Sequence, residues 1–135
     1  MTPAGSTKGM GWWADVHHFT PTEFDSPDIP HSGGHYMDER FVRKLDTLRG
    51  LFKKPLVVSS GYRSPGHNKK VGGAPGSMHT RGLAADLLVA GEDAFNLVGL
   101  AYACGFTGIG VSQKGEWGRR FIHLDLRDKP TIWSY

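Results

Sequence analysis

Apolar residues recur every three or four positions between residues 36 and 52, as Phe41, Leu45, Leu48 and Phe52 with Val42 and Leu51 beside them. Asp38, Glu39, Arg43, Lys44, Asp46 and Arg49 fall largely on the other side, so the stretch predicts an amphipathic scaffold helix. Pro55 closes it, and Leu56-Val57-Val58-Ser59-Ser60 reads as a strand that ends at Gly61. From there to Gly76 glycine and proline dominate, and no helix is expected across the segment. Residues 83–89 read as a second strand. Glu92 and Asp93 then open a second helix, their charge suiting its N-terminal dipole, and Gly105 terminates it. Its apolar residues, among them Phe95, Leu97, Val98, Leu100 and Tyr102, run most of the way round, which predicts a buried helix. A short strand over residues 108–111, a polar turn over 112–118 and an apolar strand over 121–126 follow, and the apolar tail over 130–135 is expected to dock back. Near the start, Phe19-Thr20-Pro21-Thr22-Glu23-Phe24 predicts a short helix. Thr20 is its N-cap, Pro21 its first residue and Glu23 the partner in a capping box, with Phe19 stapled onto Phe24.

Composition narrows the picture. The chain has 135 residues, enough for one domain with a real core but not for two. Its 19 glycines are about twice the usual share of roughly 7%, which argues for many tight turns around a modest sheet. Residues 1–18 read as a flexible N-terminal segment and residues 19–135 as the single domain. The lone cysteine, Cys104, allows no internal disulfide and reads as a small core residue. No apolar stretch has the length of a signal peptide or of a membrane span, so no membrane insertion is expected. A net charge of +3 points mildly towards anionic partners. Lys69, Lys70, Arg81, Arg119 and Arg120 raise the possibility of nucleic acid, but 13 acidic residues nearly balance 16 basic ones and no recognition motif is present. No nucleic-acid partner is expected.

The candidate chemistry lies in two segments. In Ser77-Met78-His79-Thr80-Arg81-Gly82-Leu83-Ala84-Ala85-Asp86, a loop histidine precedes a strand aspartate by seven positions. In Phe121-Ile122-His123-Leu124-Asp125-Leu126, alternation places His123 and Asp125 on one face of an apolar strand. Two readings stay open on spacing alone. His79 is an ordinary loop histidine and His123–Asp125 an ordinary hydrogen-bonded pair, or His79, Asp86 and His123 are three ligands of a divalent cation with one open position. His17, His18, His31 and His35 are scattered through a loop region and read as solvated or hydrogen-bonding residues. The glycine-rich loop after Arg63 matches neither a phosphate-binding nor a dinucleotide fingerprint.

Together with Ser59-Ser60-Gly61-Tyr62-Arg63-Ser64-Pro65, these segments resemble the three blocks of the zinc D-Ala-D-Ala carboxypeptidase family. That family belongs to the LAS metallopeptidases, which include phage endolysins, murein endopeptidases and the hedgehog signalling domain. The opening Phe19 to Phe24 and the closing Trp133-Ser134-Tyr135 are similar to its smaller members. The resemblance implies an α+β fold, an antiparallel sheet with helices packed on one side, and it implies that His79, Asp86 and His123 bind Zn2+. It further implies that Arg63 faces substrate and steadies the oxyanion, and that Ser77 lines the substrate site. Many relatives carry an acid three residues before the last histidine; here that residue is Arg120, which accepts no proton. Asp125 is therefore the first candidate for the general base, or for the partner that orients the ligand, and Glu116 the second.

The function implied is metal-assisted hydrolysis of a peptidoglycan stem or cross-link peptide by a monomer acting on the cell wall. The missing acid at Arg120 leaves a zinc-containing wall-binding module without catalysis as the alternative. Without a visible export signal, a phage lysin released to the wall or carried in a virion fits.

Overall fold

The computed structural model describes residues 11–135. Residues 1–10 of the expected flexible segment lie outside the described residues. The rest of that segment does not behave as expected: Gly11–Asp15 is a 3-10 helix whose Trp13 is buried and packs on Phe24, its indole N–H donating to the Gly34 carbonyl. Pro21–Phe24 forms a second 3-10 helix. Thr20 caps it with the box read from the sequence, its N–H donating to Glu23 Oε2 at 2.7 Å, and Phe19 meets Phe24 edge-on.

The short helix α1 (Ser32–Tyr36) precedes α2 (Glu39–Phe52), which Asp38 caps by accepting from the Phe41 N–H. The apolar face of α2 buries Phe41, Val42, Leu45 and Leu48. Strand β1 (Val57–Ser60) leads to α3 (Pro65–Lys70), a helix in the segment where none was expected. Ser64 accepts from the His67 N–H and Pro65 presets the first turn, and these end signals outweigh the glycines around them. Strand β2 (Ala84–Leu88), helix α4 (Gly91–Ala103) and strands β3 (Gly108–Ser112), β4 (Phe121–Asp125) and β5 (Thr131–Ser134) complete the fold.

The five strands lie in the order β1-β2-β4-β3-β5. All neighbours pair antiparallel except β3 and β5, so the sheet is mixed at the edge where the tail docks. Alternation sorts its two faces. Ala85, Leu87, Ile109, Ile122 and Leu124 face the hydrophobic core, where α4 packs on β4 and α2 packs on α4. Asp86, His123, Asp125, Gly108, Gly110 and Trp133 take the other face. Helix α3 packs beside the turn Met78–Arg81, and the mostly antiparallel sheet with its helices is the α+β fold expected. Nor is α4 buried throughout. Ala94, Leu97 and Ala101 are buried, spaced three and four apart, while Phe95 and Tyr102 on the far side are each 80% exposed. No described helix is long and apolar enough to cross a membrane.

Candidate metal centre

Register builds the site. Asp86 on β2 stands opposite His123 on β4, so antiparallel pairing alone brings two residues 37 positions apart into contact. A bulge in β1 between Val58 and Ser60 brings Ser60 opposite Asp86 on the other side. His79 comes from the short 3-10 helix Met78–Arg81 rather than from open loop. Ser77 caps that turn, accepting from the His79 N–H at 3.2 Å, and Gly82 ends it at φ +69°. A side chain at Gly82 would also collide with the Tyr36 carbonyl, so the turn that aims His79 depends on glycine twice over.

Three ligating atoms converge, all within 4.8 Å of one another. His79 Nε2 lies 3.3 Å and His123 Nδ1 3.0 Å from Asp86 Oδ1, and all three residues are buried. The second polar atom of each is committed elsewhere. His79 Nδ1 is 2.7 Å from the Gly61 carbonyl, which makes it the protonated nitrogen and leaves Nε2 a lone pair. Arg63 Nη2 donates to Asp86 Oδ2 at 3.4 Å. His123 Nε2 donates to Asp125 Oδ2 at 2.7 Å, which leaves Nδ1 facing the cluster. Three electron-rich atoms aimed at one point, with their donors turned away, need a positive charge between them. In the metal-free protein the surroundings of His123 favour a proton in that place. Burial opposes the imidazolium of His123, but hydrogen bonds to Asp125 and Asp86 outweigh it and raise its pKa. Burial likewise opposes the Asp86 carboxylate, yet its imidazole neighbours, chiefly the His123 N–H at Oδ1, hold it well below the usual range. Two imidazoles and a carboxylate, each steadied from behind, fit a divalent cation with an open position.

The other expected residues divide. Arg63 is at the site, its Nε on Ser60 Oγ at 3.1 Å, Nη1 on Asn68 Oδ1 at 3.3 Å and Nη2 on Asp86. Three of its five N–H groups are thus used and two remain. Ser77 lines the same cleft, of about 480 Å³. Asp125 does not fit the role of general base. Its side chain is 0% exposed, and it accepts from His123 Nε2, from Arg127 Nη2 at 2.6 Å, and from the Arg127 Nε and backbone N–H at 3.0 Å. Burial pushes its pKa up, but those donors outweigh it and hold the carboxyl well below the usual range, a poor proton acceptor. It is placed to orient His123. Glu116 is exposed in the turn before β4 and is not among the residues lining the cleft, so it does not fit either. Arg120 turns away, stacking on Trp117 and donating to the Gly115 carbonyl.

Sequence reading missed Arg127, Trp133 and Tyr135, which form one wall of the cleft. The Arg127 guanidinium lies 4.2 Å from the Trp133 ring centre, and the Trp133 and His123 rings are 5.1 Å apart. Burial pushes the Tyr135 phenol up, so it stays protonated and a donor at neutral pH. The period-two pattern Thr131, Trp133, Tyr135 was a signal for Trp133 and Tyr135 sharing a face. A larger groove of about 880 Å³ lies against α4 and the end of α2; its charged lining residues, Lys54 and Asp93, pair with each other at 2.8 Å. His79, Asp86 and His123 are the only group of three metal-ligating residues among the described residues.

No curated protein matches the chain. A family model described as Peptidase M15 matches residues 17–125, a span that takes in Arg63, His79, Asp86, His123 and Asp125, and the chain belongs to that family.

Proposed function

We propose that the chain is a zinc-dependent peptidase that hydrolyses a stem or cross-link peptide bond of peptidoglycan. Membership of the Peptidase M15 family implies a peptidase, and the His79–Asp86–His123 group suits metal dependence. The observation that carries the reading is the convergence of three buried lone pairs whose partner atoms are all tied back.

His79, Asp86 and His123 would hold the cation, which when bound would supply Lewis acidity towards a peptide carbonyl and water. The protein does the rest. Gly61, Arg63 and Asp125 fix the ligands from behind, so the site needs no rearrangement before reaction. Arg63 lines the cleft and keeps two N–H groups with which to steady negative charge on the carbonyl oxygen. Ser77, whose oxygen is used by the His79 N–H, keeps its own O–H for a substrate carbonyl. The net charge of +3 suits an anionic wall polymer, and the place of action on this reading is the cell wall.

A second reading is favoured by one observation: among the described residues Asp86 is the only side-chain carboxylate lining the cleft, so none of them stands there as a free base beside the ligands. A wall-binding module without turnover needs none. Digestion of purified peptidoglycan by the zinc-loaded protein, with mass spectrometry of the released fragments, separates the two. New peptide termini, absent with His123→Ala, support the peptidase. Wall binding without new termini would establish the module instead, and a wild type that retains no zinc after mild chelation would refute both.

A further inference from the structure

Strand β5 is held to the domain in an unusual way. It is a four-residue edge strand, and Thr131, Ile132 and Ser134 are exposed, Ile132 by 67%. The one inward anchor within the strand is Trp133. Its seat is made of site residues. Trp133 pairs with Gly110 in register, and Gly110 in turn pairs with His123. A Cβ at Gly110 would lie 2.8 Å from the indole, so the ring lies directly over that glycine and reaches the His123 ring. On it sits the Arg127 guanidinium, the same group that grips Asp125 and through it His123 Nε2.

We propose that Trp133 is a positioning residue for the ligand His123, and that docking of β5 and retention of the metal are one coupled equilibrium. The inference rests on the metal-centre reading above. Two contacts fix the His123 ring from outside the cation: Asp125 at Nε2 and the Trp133 ring beside it. Arg127 touches both Asp125 and the Trp133 ring. When β5 leaves the sheet, Arg127 loses the indole it rests on, the His123 ring loses a wall, and the cleft opens on the side formed by Trp133 and Tyr135. Edge strands with few buried side chains are the segments that open first, so this motion is the accessible one. Coupling is reciprocal: whatever holds His123 in place holds β5 down, and by the same factor β5 holds the cation.

The test uses the full chain and zinc alone. Hydrogen exchange of the amides of residues 131–135, measured by mass spectrometry on the wild type with zinc and with a chelator, should slow about tenfold or more when zinc is bound. Competition against a chromogenic chelator should show Trp133→Ala binding zinc about 10–100-fold more weakly, the range for partners that orient ligands. Trp133→Phe, which keeps a ring over Gly110 and beside His123, should recover most of that loss. Exchange at 131–135 that is the same with and without zinc would overturn the proposal without any variant being made. So would wild-type zinc affinity in a folded Trp133→Ala. A wild type that binds no zinc would overturn the metal-centre reading itself, a result distinct from the other two.

Discussion

Replacing Asp125 by asparagine separates two roles for this residue. If Asp125 takes a proton from water, the substitution abolishes turnover and leaves zinc affinity intact. If it orients His123, zinc affinity falls. The structure supplies the magnitude. Asparagine keeps the shape but offers a single acceptor oxygen, and its amide N–H groups face donors from Arg127 or His123. Partners that fix a ligand's orientation are worth about 10–100-fold in metal affinity, or about 1.4–2.7 kcal/mol. Stability falls as well. Stripping one partner from a buried ion pair costs about 3–5 kcal/mol, but the Arg127 side chain is 32% exposed and rehydrates, so about 2–3 kcal/mol is the expected loss. Zinc competition with a chromogenic chelator measures the first quantity and urea denaturation of the metal-free protein the second. Turnover on peptidoglycan at saturating zinc should recover substantially. Wild-type zinc affinity together with lost turnover would refute the orienting role and restore Asp125 as the base.

Arg63→Ala should lower kcat about a hundredfold through the lost oxyanion donor. Because Arg63 also steadies Asp86 Oδ2, zinc affinity should fall several-fold by competition assay, rather than staying unchanged. The raised pKa of His123 sets a pH dependence. Protonated His123 stabilises the metal-free protein in full below its ordinary value of 6.5, and that contribution is lost as pH rises through the raised folded value. Urea midpoints of the metal-free protein should therefore fall above about pH 6.5 while zinc affinity rises over the same window, since the cation replaces the Nδ1 proton. Gly108→Ala puts a methyl group against the Asp125 carboxylate, and overpacking there should cost about 1–3 kcal/mol in the urea midpoint and weaken zinc binding in parallel.

The metal ligands were legible because their geometry is local or periodic. His123 and Asp125 share a face by alternation, and Asp86 sits in a strand apolar enough to demand a partner for its charge. The helix at Pro65–Lys70 was not, because three weak helix formers, Gly66, His67 and Asn68, hide the Ser64-Pro65 cap that starts it. The exposed face of α4 was hidden by composition: Phe95 and Tyr102 are large rings that read as core beside Leu97, and only the spacing of Ala94, Leu97 and Ala101 marks the inner side. Arg127, Trp133 and Tyr135 were out of reach for another reason. Trp133 and Tyr135 reach the cleft through β5 pairing parallel to β3, a long-range choice that no window of sequence contains, whereas Arg127 is placed by its bonds to Asp125 two residues before it.

The row Ser60, Asp86, His123, Gly110, Trp133 runs straight across all five strands. β2 is apolar apart from Asp86, and β4 sets His123 and Asp125 between Phe121, Ile122 and Leu124, so register decides which residues meet. A slip of one position would send His123 to the opposite face and put Ile122 or Leu124 opposite Asp86. A cation that needs His79, Asp86 and His123 together binds one alignment and none of its neighbours. A bound cation would therefore favour this alignment over its neighbours by mass action, as any ligand does that binds one folded state and not another.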